Sequence, residues 1–185
     1  LVVHKDRVQY NIDMMVSMVK DPARLRPHVK TYKIPEIVSM QMASGIKKFK
    51  CATIAEAEML ARTGAPDILL AYQPSAVKTE RLLKLKDKYE KSTFSTVVDN
   101  EESASMIAEK CRNRPALLNV YIDLNNGNNR TGIAPEDAFP LFKKCLELKG
   151  VHPLGLHVYD GHIRDSYPED RKRHCDRDFS KVSSI

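Results

Sequence analysis

A lysine at the end of a short β-rich run is the residue of this sequence with the clearest potential for chemistry. Lys30 closes the run R-P-H-V-K, the end of a predicted strand that begins at Leu25. An amine in that position can form an imine with an aldehyde when desolvation or a nearby cation keeps it partly deprotonated. Arg26, His28 and Lys33 are the expected positive neighbours. The alternative interpretation is an ordinary surface lysine.

Polar side chains stand at the ends of six predicted strands, including the one that Lys30 closes. In chain order the sets are His28 with Lys30, Thr53, Tyr72 with Gln73, Asp99 with Asn100, Asn125 with Asn126, and His157 with Tyr159 and Asp160. In an α/β barrel the chemistry collects at the C-terminal ends of many strands. The G-x-G-x-x-G motif of a dinucleotide-binding sheet does not occur in the sequence. The pattern therefore favours a barrel, although polar residues that merely begin loops would explain Asp99 and Asn100.

The elements that would position these residues alternate along the chain. Short β-rich runs are followed by amphipathic helical runs, a rhythm that indicates parallel strands joined by helical crossovers. Thr53-Ile-Ala-Glu56 has the form of a capping box, and the helix that it opens is predicted to end at Gly64. A complete eight-stranded barrel needs about 250 residues, whereas this chain has 185.

Composition and charge limit the classes of partner. The net charge is +6, but the basic residues are scattered, and no basic stripe interleaved with aromatic residues marks a nucleic-acid surface. The longest apolar runs are too short to span a bilayer, and the N-terminus has no signal-peptide pattern. None of the four cysteines forms a C-x-x-C pair. We expect a soluble cytoplasmic protein that binds neither nucleic acid nor membrane.

Three segments, taken together and in order, resemble a known family. The segment R-P-H-V-K-T-Y-K at 26–33 is similar to the R-P-H-x-K-T-H-K signature of fold-type III pyridoxal-phosphate (PLP) enzymes. These are the D-threonine aldolases, the eukaryotic-type D-serine dehydratases and, more distantly, the alanine racemases. The segment D-L-N-N-G-N-N-R-T-G at 123–132 is similar to their G-x-x-R-T-G motif. The segment G-L-H-V-Y-D-G-H at 155–162 is similar to a motif of the D-threonine aldolase branch.

The resemblance implies an α/β fold, a (β/α)8 TIM-type barrel of the alanine racemase N-terminal kind, of which about six strands are present. Residues 1–9 would form an N-terminal strand that pairs with a C-terminal β-domain outside this sequence. Residues 10–185 would form a partial PLP-binding barrel. The chain is accordingly expected to be one part of a longer enzyme, a homodimer, and not to form a working active site alone.

The resemblance also assigns roles to individual residues. Lys30 would hold PLP as a Schiff base and act as the base at the substrate α-carbon, with His28 as a second catalytic residue. Arg130 would lie beside the PLP ring, and Tyr159 would face the cofactor where the racemases have a ring-stacking histidine. The remaining predicted cofactor-binding residues are His157, Gln73 and Thr53.

No metal-ligand set is predicted in this chain. The spacing of His157, Asp160 and His162 is loose, so we interpret these residues as part of a hydrogen-bonded loop. The resemblance implies that a divalent ion (Mn, Mg or Zn) binds residues of the C-terminal β-domain instead. One departure from the family pattern is Tyr32, which stands where the family has a histidine and puts a proton relay through that position in question.

The function implied by the resemblance is a PLP-dependent D-amino acid lyase. The first expectation is a D-threonine aldolase-like retro-aldol cleavage of D-β-hydroxy amino acids to glycine and an aldehyde. The near alternatives are β-elimination of the D-serine dehydratase type and racemisation of D-amino acids. Alternatives of another class are a non-catalytic PLP carrier barrel and an inactive fragment.

Overall fold

The computed structural model describes residues 2–114 and 117–185 as an alternation of helices and strands. The helices are α1 (Lys5–Val19), α2 (Pro35–Ala43), α3 (Ile54–Thr63), α4 (Ala76–Lys88), α5 (Glu101–Cys111), α6 (Ala138–Glu147) and α7 (Pro168–Ser183). The strands are β1 (Lys48–Cys51), β2 (Asp67–Leu70), β3 (Thr93–Val98), β4 (Leu118–Leu124) and β5 (Val151–Val158). Short 3-10 helices occur at Pro22–Arg24, Val29–Thr31 and Pro135–Asp137. None of the described helices has both the length and the apolar composition needed to cross a membrane.

The strands form one sheet in the order β1-β2-β3-β4-β5, so each strand pairs with its neighbours along the chain. β1 and β2 run parallel, with Lys48 opposite Asp67 at one end of the register. β4 and β5 are also parallel, and their register shifts between Val120 and Tyr121. Parallel neighbours separated by helices confirm the α/β class that the alternation predicts.

The chain divides into two compact units, each with its own core. The first comprises residues 1–72 and 80–95, and the second comprises residues 73–79 and 96–185. Fully buried side chains of the first unit are Phe49, Leu60, Ile68, Leu82 and Phe94. Fully buried side chains of the second unit are Ile107, Leu118, Val120, Ile122 and Cys145. Burial of each large apolar side chain contributes about 1.5–3 kcal/mol, so these clusters hold the strands on which the polar residues stand.

The sequence signals at the two ends of α3 are confirmed. Thr53 Oγ1 accepts a hydrogen bond from the Glu56 N–H at 3.1 Å, and the Glu56 carboxylate accepts one from the Ala52 N–H at 2.8 Å. The helix ends at Gly64, whose φ of 92° lies in the left-handed region. The capping box and the terminal glycine therefore fix where the helix after β1 begins and ends.

The predicted N-terminal strand does not extend to residue 9. Leu1 lies outside the described residues, Val2 and Val3 have no strand structure, and α1 begins at Lys5, so residues 5–9 are helical. Two consecutive valines are too short a run to define a strand against the helix-favouring residues that follow. Asp6 in the first turn also complements the positive end of the helix dipole.

The predicted strand from Leu25 to Lys30 is wrong over most of its length. Only His28 makes a parallel bridge, to Lys50 of β1. Pro27 has no N–H to donate to a sheet, and its carbonyl accepts from the Lys50 N–H at 2.9 Å. The chain then turns into the 3-10 helix at Val29–Thr31. The described residues therefore contain five strands, and the sixth predicted strand is reduced to the bridge at His28.

Candidate cofactor and active site

Lys30 lies in a turn that is fixed from both sides. His28 has extended backbone, and its Nδ1 accepts a hydrogen bond from the Lys30 N–H at 3.2 Å. Val29 between them is completely buried, whereas Lys30 itself is exposed. The turn is thus anchored to the core through Val29 and to β1 through His28. It presents the lysine side chain at the surface of the first unit.

The cations expected around Lys30 have partners of their own. Arg26 forms a bidentate ion pair with Asp67, with N–O distances of 2.7 and 2.9 Å. Lys33 Nζ lies 3.5 Å from the carboxylate of Glu56, which is only 5% exposed. Within the described part of the chain, the Lys30 ammonium itself has no carboxylate partner. The charges of Arg26 and Lys33, the expected positive neighbours of Lys30, are thus each offset by a carboxylate.

His28 is neutral at neutral pH and is not the cation that the sequence suggested. Burial lowers the pKa of its imidazole to about 4, and the charges of Lys30 and Lys50 act in the same direction. Its unprotonated Nδ1 is the atom that accepts the hydrogen bond from the Lys30 backbone. His28 therefore serves the turn as a neutral acceptor.

This lowered pKa predicts a pH-dependent stability. The folded value of about 4 lies below the ordinary 6.5, so the unfolded chain binds more protons between these values. The contribution of His28 is thus fully present above pH 6.5 and is lost as the pH falls toward 4. In the His28→Asn variant the side-chain oxygen can still accept from the Lys30 N–H. Urea unfolding across this pH range should show that the variant loses less stability than the wild type as the pH falls. Parallel plots of the free energy of unfolding against pH for the two proteins would contradict the prediction.

Tyr32 donates its hydroxyl proton to Gln41 inside the first unit. The Oη–Oε1 distance is 2.8 Å, and Gln41 is 6% exposed. Burial raises the pKa of Tyr32 to about 12, against a smaller opposing effect of the hydrogen bond. The phenol therefore keeps its proton near neutral pH. Tyr32 anchors the turn to α2 and does not exchange protons as a histidine would.

We expect Tyr32→Phe to lower the free energy of unfolding by about 1–3 kcal/mol, because the buried Gln41 amide oxygen loses its donor. The double variant Tyr32→Phe with Gln41→Met removes both polar groups and should recover most of that loss. Urea unfolding of the single and double variants measures both values. A double variant that is no more stable than Tyr32→Phe would show that the hydrogen bond is not the cause.

A buried carboxylate organises the second unit. Asp123 of β4 is 7% exposed, and its Oδ1 lies 2.6 Å from Nδ1 of His157 on β5. Its Oδ2 accepts a hydrogen bond from the Thr131 hydroxyl at 3.0 Å. A carboxylate at Nδ1 fixes the orientation and the tautomer of an imidazole. His157, predicted as a cofactor-binding residue, is thereby held in one orientation.

The loop after β4 is closed on itself by side-chain and backbone bonds. Asn125 Oδ1 accepts from the N–H of Gly127 at 3.2 Å and from that of Asn129 at 3.0 Å. The Asn125 N–H donates to the Ile133 carbonyl at 2.9 Å, which brings the loop back to β4. At Gly132, with a φ of 102°, a Cβ would lie 2.5 Å from the Asn125 nitrogen. Only glycine allows this close return of the backbone.

This loop presents Arg130 above an aromatic ring. The Arg130 guanidinium carbon is 5.2 Å from the centroid of the Tyr159 ring, within the range of a cation–π contact. Tyr159 in turn lies against Gly161, where a Cβ would come 2.1 Å from its hydroxyl oxygen. The structure thus brings together Arg130 and Tyr159, two residues that the sequence predicted to bind the cofactor.

The two remaining residues predicted to bind the cofactor, Gln73 and Thr53, form hydrogen bonds near the first turns of helices. In the second unit, Gln73 Nε2 donates to Ser103 Oγ, which donates to Asn100 Oδ1 at 2.9 Å. Asn100 caps α5 through the Ser103 N–H. In the first unit, Thr53 is exposed and caps α3. Contacts of Gln73 and Thr53 with a cofactor stay predictions.

The roles of Asp123 and Gly132 were not predicted from the sequence. A carboxylate inside the apolar run V-Y-I-D-L was a usable signal, because a buried charge requires partners. The two histidines of the 155–162 segment have different partners. His157 pairs with Asp123, whereas His162 lies 2.8 Å from Asp178 of α7. The interpretation of these histidines as hydrogen-bonded is consistent with both contacts.

Comparison with known proteins shows relatives of about twice this length. The chain is 26% identical over 162 residues to the D-threonine aldolase of Arthrobacter sp, covering 86% of this chain and 42% of that protein. It is 31% identical over 164 residues to the D-threo-3-hydroxyaspartate dehydratase of Delftia sp. (strain HT23), covering 88% of this chain and 40% of that protein. The chain therefore spans less than half the length of these two relatives.

Solved structures and a family model agree with these relatives. The crystal structure of D-threonine aldolase from Filomicrobium marinum matches with a TM-score of 0.88 at 27% identity, covering 96% of this chain and 48% of that one. This likeness confirms the predicted fold, and the parallel β/α order of the chain matches it. The model of the alanine racemase N-terminal domain matches residues 3–183. The chain belongs to the alanine racemase N-terminal domain family.

Proposed function

We propose that the whole protein is a PLP-dependent lyase of D-β-hydroxy amino acids, in which Lys30 binds the cofactor aldehyde. The observation that carries this proposal is the Lys30 turn. Its amine is exposed and has no carboxylate partner among the described residues. Its backbone is fixed by His28 and the buried Val29. A lysine that served only solubility would need no such anchoring.

The chemical character of the described residues fits PLP. Lys30 supplies a primary amine for the aldehyde. In the second unit, Arg130 supplies a fixed positive charge beside an aromatic ring, a pairing suited to an anionic aromatic ligand. The cofactor, when bound, accepts the electron pair left on the substrate α-carbon as a bond breaks. Arg130 and Tyr159 would hold its ring, with His157, Gln73 and Thr53 as further contacts.

The protein groups would then position the substrate and move protons. In the retro-aldol reaction a base outside this sequence would take the proton of the β-hydroxyl, and Lys30 in its ammonium form would give a proton to the α-carbon once the bond to the β-carbon has broken. His28 keeps the Lys30 turn in place as a neutral acceptor. Asp123 acts as a positioning residue, because it holds His157 through Nδ1. We propose a homodimer as the working form and the cytoplasm as its location.

Within this class, we propose retro-aldol cleavage to glycine and an aldehyde. The G-L-H-V-Y-D-G-H segment and the likeness to the Filomicrobium marinum aldolase support it. β-Elimination is the second candidate, because the relative from Delftia sp. is a dehydratase with 31% identity. Both relatives are named for D-amino acids that carry a β-hydroxyl group. The aldolase and dehydratase candidates therefore share a class of substrate and differ in the bond of the substrate that breaks.

Product analysis distinguishes the two candidates. The full-length protein with PLP would be incubated with D-threonine and with D-threo-3-hydroxyaspartate, and the products identified by mass spectrometry. Glycine and an aldehyde from either substrate support the aldolase. A keto acid with ammonia and no glycine supports the dehydratase. Turnover of neither substrate, in protein that has bound PLP, would contradict the proposed substrate class.

A further inference from the structure

Two histidines and an aspartate of the second unit meet at one point. His162 follows β5, and His174 and Asp178 lie four residues apart on α7, so their side chains share one face of the helix. Nε2 of His162 is 2.8 Å from Oδ2 of Asp178, and Nε2 of His174 is 3.3 Å from the same oxygen. The ligand-type atoms of the three residues all lie within 4.8 Å of one another. Two imidazoles therefore converge on one carboxylate oxygen.

A second set of residues orients this cluster. The Asp165 carboxylate lies 2.9 Å from Nδ1 of His174, so the opposite nitrogen of that ring is directed at Asp178. Arg177 donates to Oδ1 of Asp178 at 3.0 Å, which leaves Oδ2 for the two histidines. Asp178 is 6% exposed. A carboxylate behind the distal nitrogen of a histidine is the usual support of a metal-binding imidazole.

His162 faces the cluster with Nε2, the ring nitrogen that lies 2.8 Å from Asp178 Oδ2. Its Nδ1 lies on the other side of the ring, and it is buried without a hydrogen-bond partner among the described residues, so an ion at the cluster would leave that atom as it is. The ring of His162 is also confined, because a Cβ at Gly127 would lie 2.7 Å from its Nε2.

We propose that His162, His174 and Asp178 bind a divalent transition-metal ion, with zinc as the best match. Imidazole nitrogens with a single carboxylate suit zinc, whereas magnesium and calcium prefer oxygen ligands alone. Metal–ligand bonds of about 2.0–2.1 Å at tetrahedral angles place the ligand atoms about 3.3 Å apart. The separation between His174 and Asp178 already has this value of 3.3 Å. His162 Nε2, at 2.8 Å from Asp178 Oδ2, would move by about half an ångström, and the two imidazoles, whose ligand atoms lie within 4.8 Å of each other, would adjust to the same spacing.

The charges of the cluster suit a doubly charged cation. Asp178 contributes one negative charge at the site, and Asp165 contributes another behind His174. Arg177, which donates to Asp178, offsets one of these two charges, so the cluster keeps one net negative charge toward the ion while both imidazoles are neutral, as metal ligands must be. Such an ion would join α7 to the segment after β5, directly beneath Gly127 of the loop that carries Arg130. The inferred role is structural support of that loop.

This site differs from what the sequence led us to expect about metals. The sequence predicted no metal-ligand set in this chain, because the spacing of His162 with His157 and Asp160 is loose. The structure instead pairs His162 with two residues of α7 that lie beyond the resembling segments. The divalent ion implied by the resemblance was expected to bind other residues, those of a C-terminal β-domain. The proposal therefore adds one bound ion per full-length chain, and it does not depend on the proposed reaction.

The test counts metal ions in the full-length protein. The protein would be stripped with a chelator, reloaded with zinc and analysed for bound zinc per chain, and cobalt would replace zinc for visible spectroscopy of its coordination. We expect His174→Ala and Asp178→Asn each to bind one zinc ion fewer than the wild type. His152→Ala, which removes an exposed histidine of β5, should bind as much as the wild type. The cobalt spectrum of the wild type should show a tetrahedral component that both ligand variants lose.

A third variant covers the case in which the ligand variants fail to fold. Asp165→Asn keeps all three ligands but removes the carboxylate behind His174, so the full zinc content should persist with affinity lowered about 10–100-fold. Isothermal titration of stripped wild type and Asp165→Asn with zinc measures this change. Equal zinc content in folded His174→Ala and wild type would overturn the proposal. Unchanged affinity in Asp165→Asn, or no tetrahedral cobalt component in the wild type, would also overturn it.

Discussion

Replacement of Lys30 by alanine should reduce the turnover of the full-length enzyme by at least about 10²–10⁴-fold, the usual effect of losing a positioned acid–base group. The loss of the covalent anchor for the cofactor adds to this effect, because the aldehyde no longer has an amine with which to form an imine. Stability should change little, since Lys30 is exposed and the anchoring bond of the turn uses its backbone N–H. The measurement is the initial rate with D-threonine at saturating PLP.

Two controls separate the chemistry of this lysine from its charge. Lys30→Arg keeps a positive charge but cannot form the imine, so it should be as inactive as the alanine variant. Lys47→Ala removes an exposed lysine elsewhere and should leave the rate unchanged. Borohydride reduction of the PLP-loaded wild type, followed by peptide mapping, should place the pyridoxyl label on Lys30. A label on another lysine, or an active Lys30→Arg enzyme, would contradict the assignment.

Local signals in the sequence predicted the elements well where they depend on neighbouring residues. The capping box that begins at Thr53 and the stop at Gly64 were both found, because a cap is formed by residues a few positions apart. The strand predicted over Leu25–Lys30 was wrong because of another local signal, the proline within it. Pro27 was given too little weight, although its missing N–H prevents a regular ladder. Propensity alone therefore overestimated this strand.

The electrostatics of the candidate site could not be predicted from the sequence. The run of basic residues around Lys30 suggested a cationic environment, but Arg26 pairs with Asp67, which is 41 positions away. The neutral state of His28 depends on burial, which the local sequence does not reveal. The sequence motifs predicted which residues bind the cofactor, whereas the ion pair of Arg26 and the neutral state of His28 depend on contacts distant in the sequence.

The close return of the backbone at Gly132, in the loop that carries Arg130, leads to a second prediction. Gly132→Ala should lower the free energy of unfolding of the second unit by about 2–5 kcal/mol. About 1–2 kcal/mol comes from placing an L-residue in a left-handed conformation, since φ is 102°. A further contribution of about 1–3 kcal/mol comes from overpacking. The added Cβ would lie 2.5 Å from backbone atoms of Leu124 and Asn125, which have no flexible side chain to move aside.

Gly64→Ala is a matched control that isolates the collision. Gly64 has a similar φ of 92°, but a Cβ there meets no atom within 4 Å, so only the conformational cost of about 1–2 kcal/mol applies. Urea unfolding of the two variants should therefore differ by the overpacking contribution. Gly132→Ala should also weaken PLP binding, because the displaced loop carries Arg130 away from Tyr159. Equal stability of the two variants, with PLP affinity unchanged, would show that the close return at Gly132 does not position Arg130.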